Sequence, residues 1–264
     1  MHPILFHIGS LPIRSYGLMV ALAFAGAIWL ARRRAPARNV DPDAIIDLAF
    51  FVIIASIIGA RITYVIVHWE NYAGDPLRAF RIWDGGLALY GGMVLGMLCG
   101  LWFFRKRGIR PWVGADITAP SLALGIGIGR IGCFLNGCCF GRHCELPWAV
   151  TFPGVSGAGA WFPDVPLHPT QLYESAAAFA VMAILLLLDR KRRFPGFLLW
   201  TFMLLLSIYR FLIDPLRFYE STSMVVESTT FNLTSNQLIG IILAVVSVVF
   251  LLILSRRAEQ SGPL

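Results

Sequence analysis

Seven stretches of the chain are almost free of polar residues, and each is close to the length that crosses a bilayer. A helix needs about 20 predominantly apolar residues to span the hydrocarbon core of a membrane. The pattern therefore predicts about seven membrane-spanning helices. Asp116, Pro120 and Glu174 interrupt or flank the fourth and fifth stretches, which are the weakest. The stretches cover roughly residues 15–31, 44–67, 86–104, 113–129, 172–188, 195–213 and 236–254.

The composition points to the same class of protein. Hydrophobic residues make up 57% of the 264 residues and charged residues only 14%, whereas a soluble domain carries about 25% charged residues. We therefore expect an all-α polytopic membrane protein, with residues 1–264 forming a single integral membrane domain. The first apolar stretch lacks a basic leader and a small-residue cleavage site, so we expect a retained anchor. Gly92, Gly96 and Gly100 recur every four residues, a spacing that lets helices approach closely in lipid.

The basic residues predict the orientation of the chain. Positive residues near membrane spans favour the cytoplasmic side, and most of them follow the odd-numbered apolar stretches. We therefore expect the N-terminus outside and the C-terminus in the cytoplasm. This distribution also accounts for the net charge of +7 without a nucleic-acid partner. The cytoplasmic set is Arg32, Arg33, Arg34, Arg38, Arg105, Lys106, Arg107, Arg110, Arg190, Lys191, Arg192, Arg193, Arg256 and Arg257.

The remaining arginines fall on the predicted outer side. Arg61 and Arg210 lie within apolar stretches, where an ionisable residue is costly and often marks a functional path. Instead of marking a functional path, Arg210 could extend to the membrane interface or pair with Asp214. Guanidinium groups gathered at one membrane face offer planar donors for phosphate, and lipid headgroups are the nearest phosphates. The outer connection, residues 130–171, is predicted to form a small head region. The full set is Arg14, Arg61, Arg78, Arg81, Arg130, Arg142, Arg210 and Arg217.

The segment GIGRIGCFLNGCCFGRHC at residues 127–144 supports three interpretations. A dinucleotide loop would need a preceding strand in an aqueous βαβ unit, but an apolar span precedes this segment. A metal site is disfavoured because Cys-x4-Cys-Cys-x4-Cys is not a standard zinc spacing and adjacent cysteines are expected to project apart. A disulfide or buried thiols are favoured instead. Arg130, Arg142, Asn136 and the glycines are typical of an anion-binding site, and we predict no metal.

This segment resembles the signature of the bacterial prolipoprotein diacylglyceryl transferase family, G-R-x-[GA]-N-F-[apolar]-N-x-E-x-x-G. Cys133 and Cys138 depart from it, since the family usually has Asn and Glu there. RSYGLM, GARITY, WDGGLALYGG, HPTQLYE and YRFLIDPLR resemble further family segments in the expected order. Tyr90 stands where the family often has His, and Asp214 replaces the usual Glu. The matching signature positions are Gly129, Arg130, Gly132, Phe134, Asn136 and Gly141.

The resemblance implies a transferase without a cofactor, located in a bacterial inner membrane with its active site towards the outer face. Such an enzyme moves the diacylglyceryl group of phosphatidylglycerol onto the lipobox cysteine thiol of a prolipoprotein signal peptide, releasing glycerol phosphate. Arg130 and Arg210 are the predicted phosphate-stabilising catalytic residues, and Tyr90 and His168 are the further catalytic candidates. Predicted contacts to phosphatidylglycerol are Arg130, Tyr16, Arg61, Asn136, Gly141, Arg142, Arg210, Arg217, Gln171 and Glu174.

Several alternatives stay open at this point. The general base is undecided among His168, His143 and Tyr90, because a tyrosine hydroxyl is a poor base near neutral pH. His168 could instead cap the fifth span. Glu174 and Gln171 could organise the mouth of a cavity or only mediate helix packing. An anion transporter lined by Arg61 and Arg210, or a membrane redox protein using the cysteines, would also fit parts of the pattern.

Overall fold

The computed structural model describes residues 4–9, 11–191, 193–219, 224–226 and 233–260. Arg192, one of the basic residues that predict the orientation, lies outside the described residues. Within them, each of the seven apolar stretches forms most of one long helix. The helices are α1 (Ser15–Arg34), α2 (Pro42–Val67), α3 (Leu89–Lys106), α4 (Pro111–Asn136), the short α5 (Gly157–Trp161), α6 (Thr170–Asp189), α7 (Phe197–Ile213) and α8 (Ser235–Gln260).

Six of the described helices are long and apolar enough to cross a membrane. Helix α3 is not among the six, because it is rich in glycine and its last residues include Arg105 and Lys106. The chain is thus a mostly helical, polytopic membrane protein. Helix α4 continues to Asn136, so the connection between α4 and α6 covers residues 137–169 rather than the predicted 130–171.

Three short antiparallel strand pairs lie within the described residues, and the apolar pattern did not predict them. Strands β1 (Ile4–Ile8) and β2 (Leu11–Arg14) precede α1. Strands β3 (Val150–Thr151) and β4 (Pro166–Leu167) pair within the α4–α6 connection, and β5 (Met224–Val226) pairs with β6 (Leu233–Thr234) before α8. The β3–β4 pair folds the α4–α6 connection back on itself.

The chain forms two compact units, residues 1–30 with 115–264, and residues 31–114. The larger unit has a buried apolar core contributed by α4, α6 and α7. Helix α8 joins α7 partly through Trp200 and Phe250, whose rings stack with their centroids 4.2 Å apart. The buried core residues are Ala119, Ala123, Val181, Leu185, Leu198 and Phe202.

Asp116 is fully buried in α4 and caps α7. Its carboxylate accepts hydrogen bonds from the backbone N–H groups of Gly196, at 2.8 Å, and Leu199, at 3.0 Å. The first N–H groups of a helix have no partner within the helix, and the positive end of the helix dipole favours a carboxylate. The residue that weakens the fourth apolar stretch in the sequence therefore holds the beginning of α7.

The smaller unit depends on glycines where α2 meets α3. A Cβ atom on Gly59 would lie 2.4 Å from the carbonyl oxygen of Gly91, and one on Gly96 would lie 2.3 Å from Ser56 Oγ. Gly92 lies against Ser56 as well, since its Cβ would be 2.9 Å from the Ser56 carbonyl oxygen. The helices therefore approach to near backbone contact, as small residues allow in a membrane protein.

We expect Asp116→Asn to destabilise the protein by about 1–3 kcal/mol, because the amide turns a donor toward a buried backbone N–H group and leaves it unpaired. The midpoint of thermal unfolding in detergent micelles measures this change. Asp43→Asn is the matched control, since Asp43 pairs with Arg32 on an exposed surface and should cost less than about 1 kcal/mol. Equal midpoints for the two variants would contradict the capping role.

Candidate functional site

Glu174 is the centre of a buried ionic cluster in the larger unit. Its side chain is 1% exposed, and it lies in the first turns of α6. Three arginines converge on its carboxylate from α4, from α7 and from the segment after α7. Arg130 Nε lies 2.5 Å from Oε2, while Arg210 Nη1 and Arg217 Nη1 lie 2.7 Å and 2.9 Å from Oε1. One carboxylate thus orients three guanidinium groups.

Asp214 forms a second buried centre beside the first. Arg210 Nη2 donates to the Tyr219 hydroxyl at 3.0 Å, and that hydroxyl donates to Asp214 Oδ1 at 2.7 Å. The Thr234 hydroxyl donates to Asp214 Oδ2 at 2.5 Å. Burial, followed by the hydrogen bond to Asp214, raises the pKa of Tyr219 to about 12. The phenol therefore stays protonated and keeps donating to the carboxylate at neutral pH.

The same contacts tie the end of α7 to the beginning of α8. Thr234 precedes α8, and its backbone N–H donates to Gln237 Oε1 at 3.1 Å. In return the Gln237 N–H donates to the Thr234 hydroxyl at 3.2 Å. This reciprocal pair is a capping box. The segment TSNQ at residues 234–237 carries the T-x-x-Q signature, so the sequence held a signal for Thr234 that the sequence analysis missed.

The balance of charge in the cluster suits a singly charged anion. Arg130, Arg210 and Arg217 contribute three positive charges, and Glu174 and Asp214 contribute two negative ones, which leaves one positive charge in excess. The side chains of Arg130 and Arg210 are 24% and 23% exposed, whereas that of Arg217 is 8% exposed. Two of the three guanidinium groups are therefore accessible to a ligand.

Gly141 lies where three backbone segments meet. Its N–H donates to the His168 carbonyl at 3.0 Å, and the Arg142 N–H donates to the Leu216 carbonyl at 2.9 Å. A Cβ atom at residue 141 would lie 2.5 Å from His168 Cβ and 2.7 Å from the Leu216 oxygen. Arg142 Nε also donates to the Arg217 carbonyl at 3.2 Å. Gly141 and Arg142 therefore hold the backbone that carries Arg217.

Polar residues at the beginning of α6 attach it to the end of α4. Gln171 Nε2 donates to the Cys138 carbonyl at 2.8 Å, and the Thr170 hydroxyl donates to the Cys139 carbonyl at 3.1 Å. The Ser175 hydroxyl donates to the Gly127 carbonyl at 2.8 Å. These three bonds fix the first turns of α6, and with them the position of Glu174.

Three cysteine thiols gather beside the ionic cluster. The Sγ atoms of Cys133, Cys138 and Cys139 all lie within 4.8 Å of one another. The expectation that adjacent cysteines project apart is wrong for Cys138 and Cys139. The chain turns back after α4 because Gly137 and Cys139 adopt left-handed conformations, with φ of 71° and 59°. We call these three residues the thiol cluster.

Charge and hydrogen bonding single out one member of the thiol cluster. The thiols of Cys133 and Cys138 stabilise a thiolate at Cys139, and the guanidinium groups of Arg217 and Arg130 add to this effect. Together they hold the pKa of Cys139 well below its usual range. Cys139 is therefore the member most readily ionised.

Three further predicted residues lie in the same unit. Tyr16 is 44% exposed on α1, close enough to interact electrostatically with the thiol cluster and with Arg130. The Asn136 side chain interacts with the Cys138 thiol. His168 Nδ1 lies 3.4 Å from the Tyr173 hydroxyl, which accepts a 2.6 Å hydrogen bond from Trp148 Nε1.

Arg61 and Tyr90 belong to the smaller unit. All five N–H groups of the Arg61 guanidinium donate to backbone carbonyls within residues 78–86, at distances from 2.6 to 3.0 Å. Tyr90 is 69% exposed on α3. Arg61 thus holds a loop of its own unit, and its predicted contact with a headgroup stays a prediction, as does the catalytic role of Tyr90.

Comparison with known proteins shows which family the chain belongs to. The family model described as prolipoprotein diacylglyceryl transferase matches residues 3–253, which is nearly the whole chain. The chain belongs to the prolipoprotein diacylglyceryl transferase family. This confirms the family indicated by the ordered segments of the sequence.

Relatives from distant bacteria agree with this assignment. Three proteins named phosphatidylglycerol–prolipoprotein diacylglyceryl transferase are similar over most of their lengths. The protein from Geobacter sulfurreducens is 36% identical over 216 residues, 80% of each chain. The protein from Chromohalobacter salexigens is 38% identical over 219 residues, 81% of this chain and 79% of its own. That from Synechococcus elongatus is 38% identical over 221 residues, 81% and 76% of the two chains.

The thiol cluster lies within the segment that resembles the signature of the prolipoprotein diacylglyceryl transferase family. Two of its three members, Cys133 and Cys138, are the positions where this chain departs from the signature that it otherwise resembles. The two departures lie together in space and meet a third cysteine, Cys139. They are therefore best understood as one feature of this chain.

We expect Gly141→Ala to reduce both stability and the amount of folded protein, because the added methyl group overlaps His168 and Leu216. Overpacking of this kind typically costs about 1–3 kcal/mol. The midpoint of thermal unfolding measures it. Gly154→Ala is the matched control, since a Cβ there meets no atom within 4 Å. If both variants unfold at the wild-type temperature, the close packing at Gly141 has no energetic importance.

Proposed function

We propose that this chain transfers the diacylglyceryl group of phosphatidylglycerol to the lipobox cysteine thiol of a prolipoprotein, and that the cluster around Glu174 binds the phosphate. The observation that carries this proposal is the convergence of Arg130, Arg210 and Arg217 on one buried carboxylate. Membership of the family and the printed names of the relatives supply the substrates.

The charge of the cluster matches the charge of the lipid. A phosphodiester carries one negative charge, which equals the excess positive charge of the three arginines over the two carboxylates. Arginine presents its N–H donors as a planar fork that fits phosphate oxygens. The partly exposed Arg130 and Arg210 are therefore the predicted phosphate ligands, and the buried Arg217 supports them through Glu174.

The same residues favour the reaction over simple binding. When the glyceryl carbon–oxygen bond breaks, the departing glycerol phosphate gains a second negative charge. Fixed donors stabilise that developing charge more than they stabilise the bound lipid, and this difference lowers the barrier. Glu174 contributes by holding the guanidinium groups in place before the substrate arrives. Because the buried Glu174 has already oriented these groups, the reaction does not bear the free-energy cost of orienting them.

The nucleophile is the thiol of the incoming peptide. A free cysteine thiol has a pKa near 8.5, so a nearby positive cluster can raise the share of thiolate at neutral pH. A strong base is therefore not required. His168 and Tyr90 stay as the proposed proton acceptors, and Tyr16, Asn136 and Gln171 as proposed contacts to the headgroup.

We also propose the predicted topology of seven spans, with the N-terminus outside, the C-terminus in the cytoplasm, and the site toward the outer face. Arg130 lies near the C-terminal end of α4, Glu174 near the N-terminal end of α6, and Arg210 near the C-terminal end of α7. In the sequence, basic connectors precede α4 and follow α6. The cluster and the basic connectors thus belong to opposite ends of the helices.

Arg130→Ala should lower lipidation at least about 100-fold, as loss of one preorganised donor does elsewhere. The assay mixes purified protein, phosphatidylglycerol and a lipobox peptide, and measures the thioether product by mass spectrometry. Arg130→Lys keeps the charge but loses the fork, so we expect partial activity. Arg32→Ala, a change at an exposed arginine of α1 that pairs with Asp43, should match wild type. Full activity of Arg130→Ala, or no product from wild type, would overturn the proposal.

The topology has a separate test. A reporter that folds only in the cytoplasm, fused after Gln260, should be active, and the same reporter placed before Ser15 should be silent. Positive residues drive this orientation, so replacing the basic residues after α6 with glutamine should weaken it. Activity of the N-terminal fusion would contradict the predicted orientation.

A further inference from the structure

The thiol cluster has the dimensions of a metal-binding site. Its three sulfur atoms lie within 4.8 Å of one another. Thiolates that share one zinc ion each lie about 2.3 Å from it, which places the sulfur atoms about 4 Å apart. A disulfide joins two cysteines and would leave the third member of this triangle alone. The geometry therefore fits three ligands of one ion better than it fits a disulfide.

The surrounding chain holds the three sulfur atoms together. Cys133 lies in the last turn of α4, and Cys138 and Cys139 follow the left-handed Gly137. The carbonyls of Cys138 and Cys139 accept the hydrogen bonds from Gln171 and Thr170. The adjacent pair is thus attached to α6 through its backbone carbonyls, while the Cys138 thiol donates to the Cys133 carbonyl at 3.7 Å.

The other two cysteines lie elsewhere. Cys144 is buried, and its sulfur accepts a hydrogen bond from the Leu146 N–H at 3.4 Å. Cys99 belongs to α3 in the smaller unit. Among the described residues, the group of three is the one that could hold an ion. Its members are only half-buried, so the site can be reached from outside.

We propose that Cys133, Cys138 and Cys139 bind one thiophilic divalent cation, such as Zn²⁺, and that its fourth position receives the sulfur of the substrate cysteine. Catalytic zinc sites keep three protein ligands and an open fourth position. Three thiolates and a divalent cation carry one net negative charge, and the Arg217 and Arg130 guanidinium groups lie close enough to Cys139 to act on that charge. This inference rests on the proposed function, because it assigns the means by which the thiol is activated.

The chemical step balances without an oxidant or reductant. The lipobox thiol releases its proton to solvent as its sulfur binds the cation, since a coordinated thiol is deprotonated outright. That thiolate attacks the glyceryl carbon attached to the phosphate oxygen. The new carbon–sulfur bond forms as the carbon–oxygen bond breaks, and glycerol phosphate leaves with the electron pair. The cation thus takes the place of a general base, the role for which the sequence left His168, His143 and Tyr90 as candidates.

The test measures metal binding apart from activity. Full-length protein is purified without oxygen, supplied with Zn²⁺, dialysed and measured by elemental mass spectrometry. We expect about one ion per chain, its loss in Cys139→Ser, and its retention in Cys99→Ser and Cys144→Ser. Failure of wild type to hold an ion, or retention by a variant with Cys133, Cys138 and Cys139 all changed to Ser, would overturn the site.

Replacing Zn²⁺ with Co²⁺ tests whether the fourth coordination position accepts the substrate thiol. Co²⁺ in the same site should give thiolate-to-metal absorption bands that grow when a lipobox peptide is added. The peptide with serine in place of cysteine should cause no such growth. An unchanged spectrum with the thiol peptide would overturn the role of the fourth position.

Chelation separates this inference from the proposed function without any substitution. Removing the ion should lower thioether formation at least about 10-fold, and Zn²⁺ should restore it. If the metal-free protein forms product at the wild-type rate, the inference falls and the transferase activity stands. If the metal-loaded protein binds the thiol peptide but forms no product from phosphatidylglycerol, the proposed function falls and the metal site stands.

Discussion

The attraction between one buried carboxylate and three guanidinium groups organises the functional half of this molecule. Glu174 is almost fully buried, and a buried charge is costly unless it is paired and hydrogen-bonded. Arg130, Arg210 and Arg217 supply that pairing from three different parts of the chain. Because Glu174 would be an uncompensated buried charge without these arginines, the segments that carry them must end close together.

The supporting structure can be understood from this requirement. The Gln171, Thr170 and Ser175 side chains attach the beginning of α6 to the end of α4, and Gly141 lets the segment after α7 come close. At the other end of α7, Asp116 occupies the N-terminus of the helix. Helix α7 is therefore fixed by a carboxylate at each end, and the position of Arg210 follows from both.

Much of this could be predicted from the sequence because it depends on local pattern. Apolar length gave the seven long helices, and the ordered segments identified the family and named Arg130, Arg210, Arg217 and Glu174. The meeting of these four side chains could not be predicted in the same way, since it depends on how distant segments fold together. The charges were visible, but Glu174 was assigned either to the mouth of a cavity or to helix packing, and not to pairing with the arginines.

An error and an omission share a physical origin. The adjacent cysteines were expected to diverge, and the capping role of Asp116 was not foreseen. In both cases a residue was assessed from its own short segment. Asp116 found its partners about 80 residues later in the chain. The direction of the Cys139 side chain depended on a left-handed backbone that no periodic pattern reveals. Tyr219 was missed for the same reason, because its importance comes from contacts with Asp214 and Arg210.

Arg61 shows a different use of a charged residue in a membrane protein. The Arg61 guanidinium donates to five backbone carbonyls of one loop, so a single side chain cross-links the loop. Lysine, with three donors on a flexible stem, lacks the geometry to replace it. Unlike a disulfide, this cross-link has no dependence on oxidising conditions. The loop therefore keeps its shape whether or not its surroundings are oxidising.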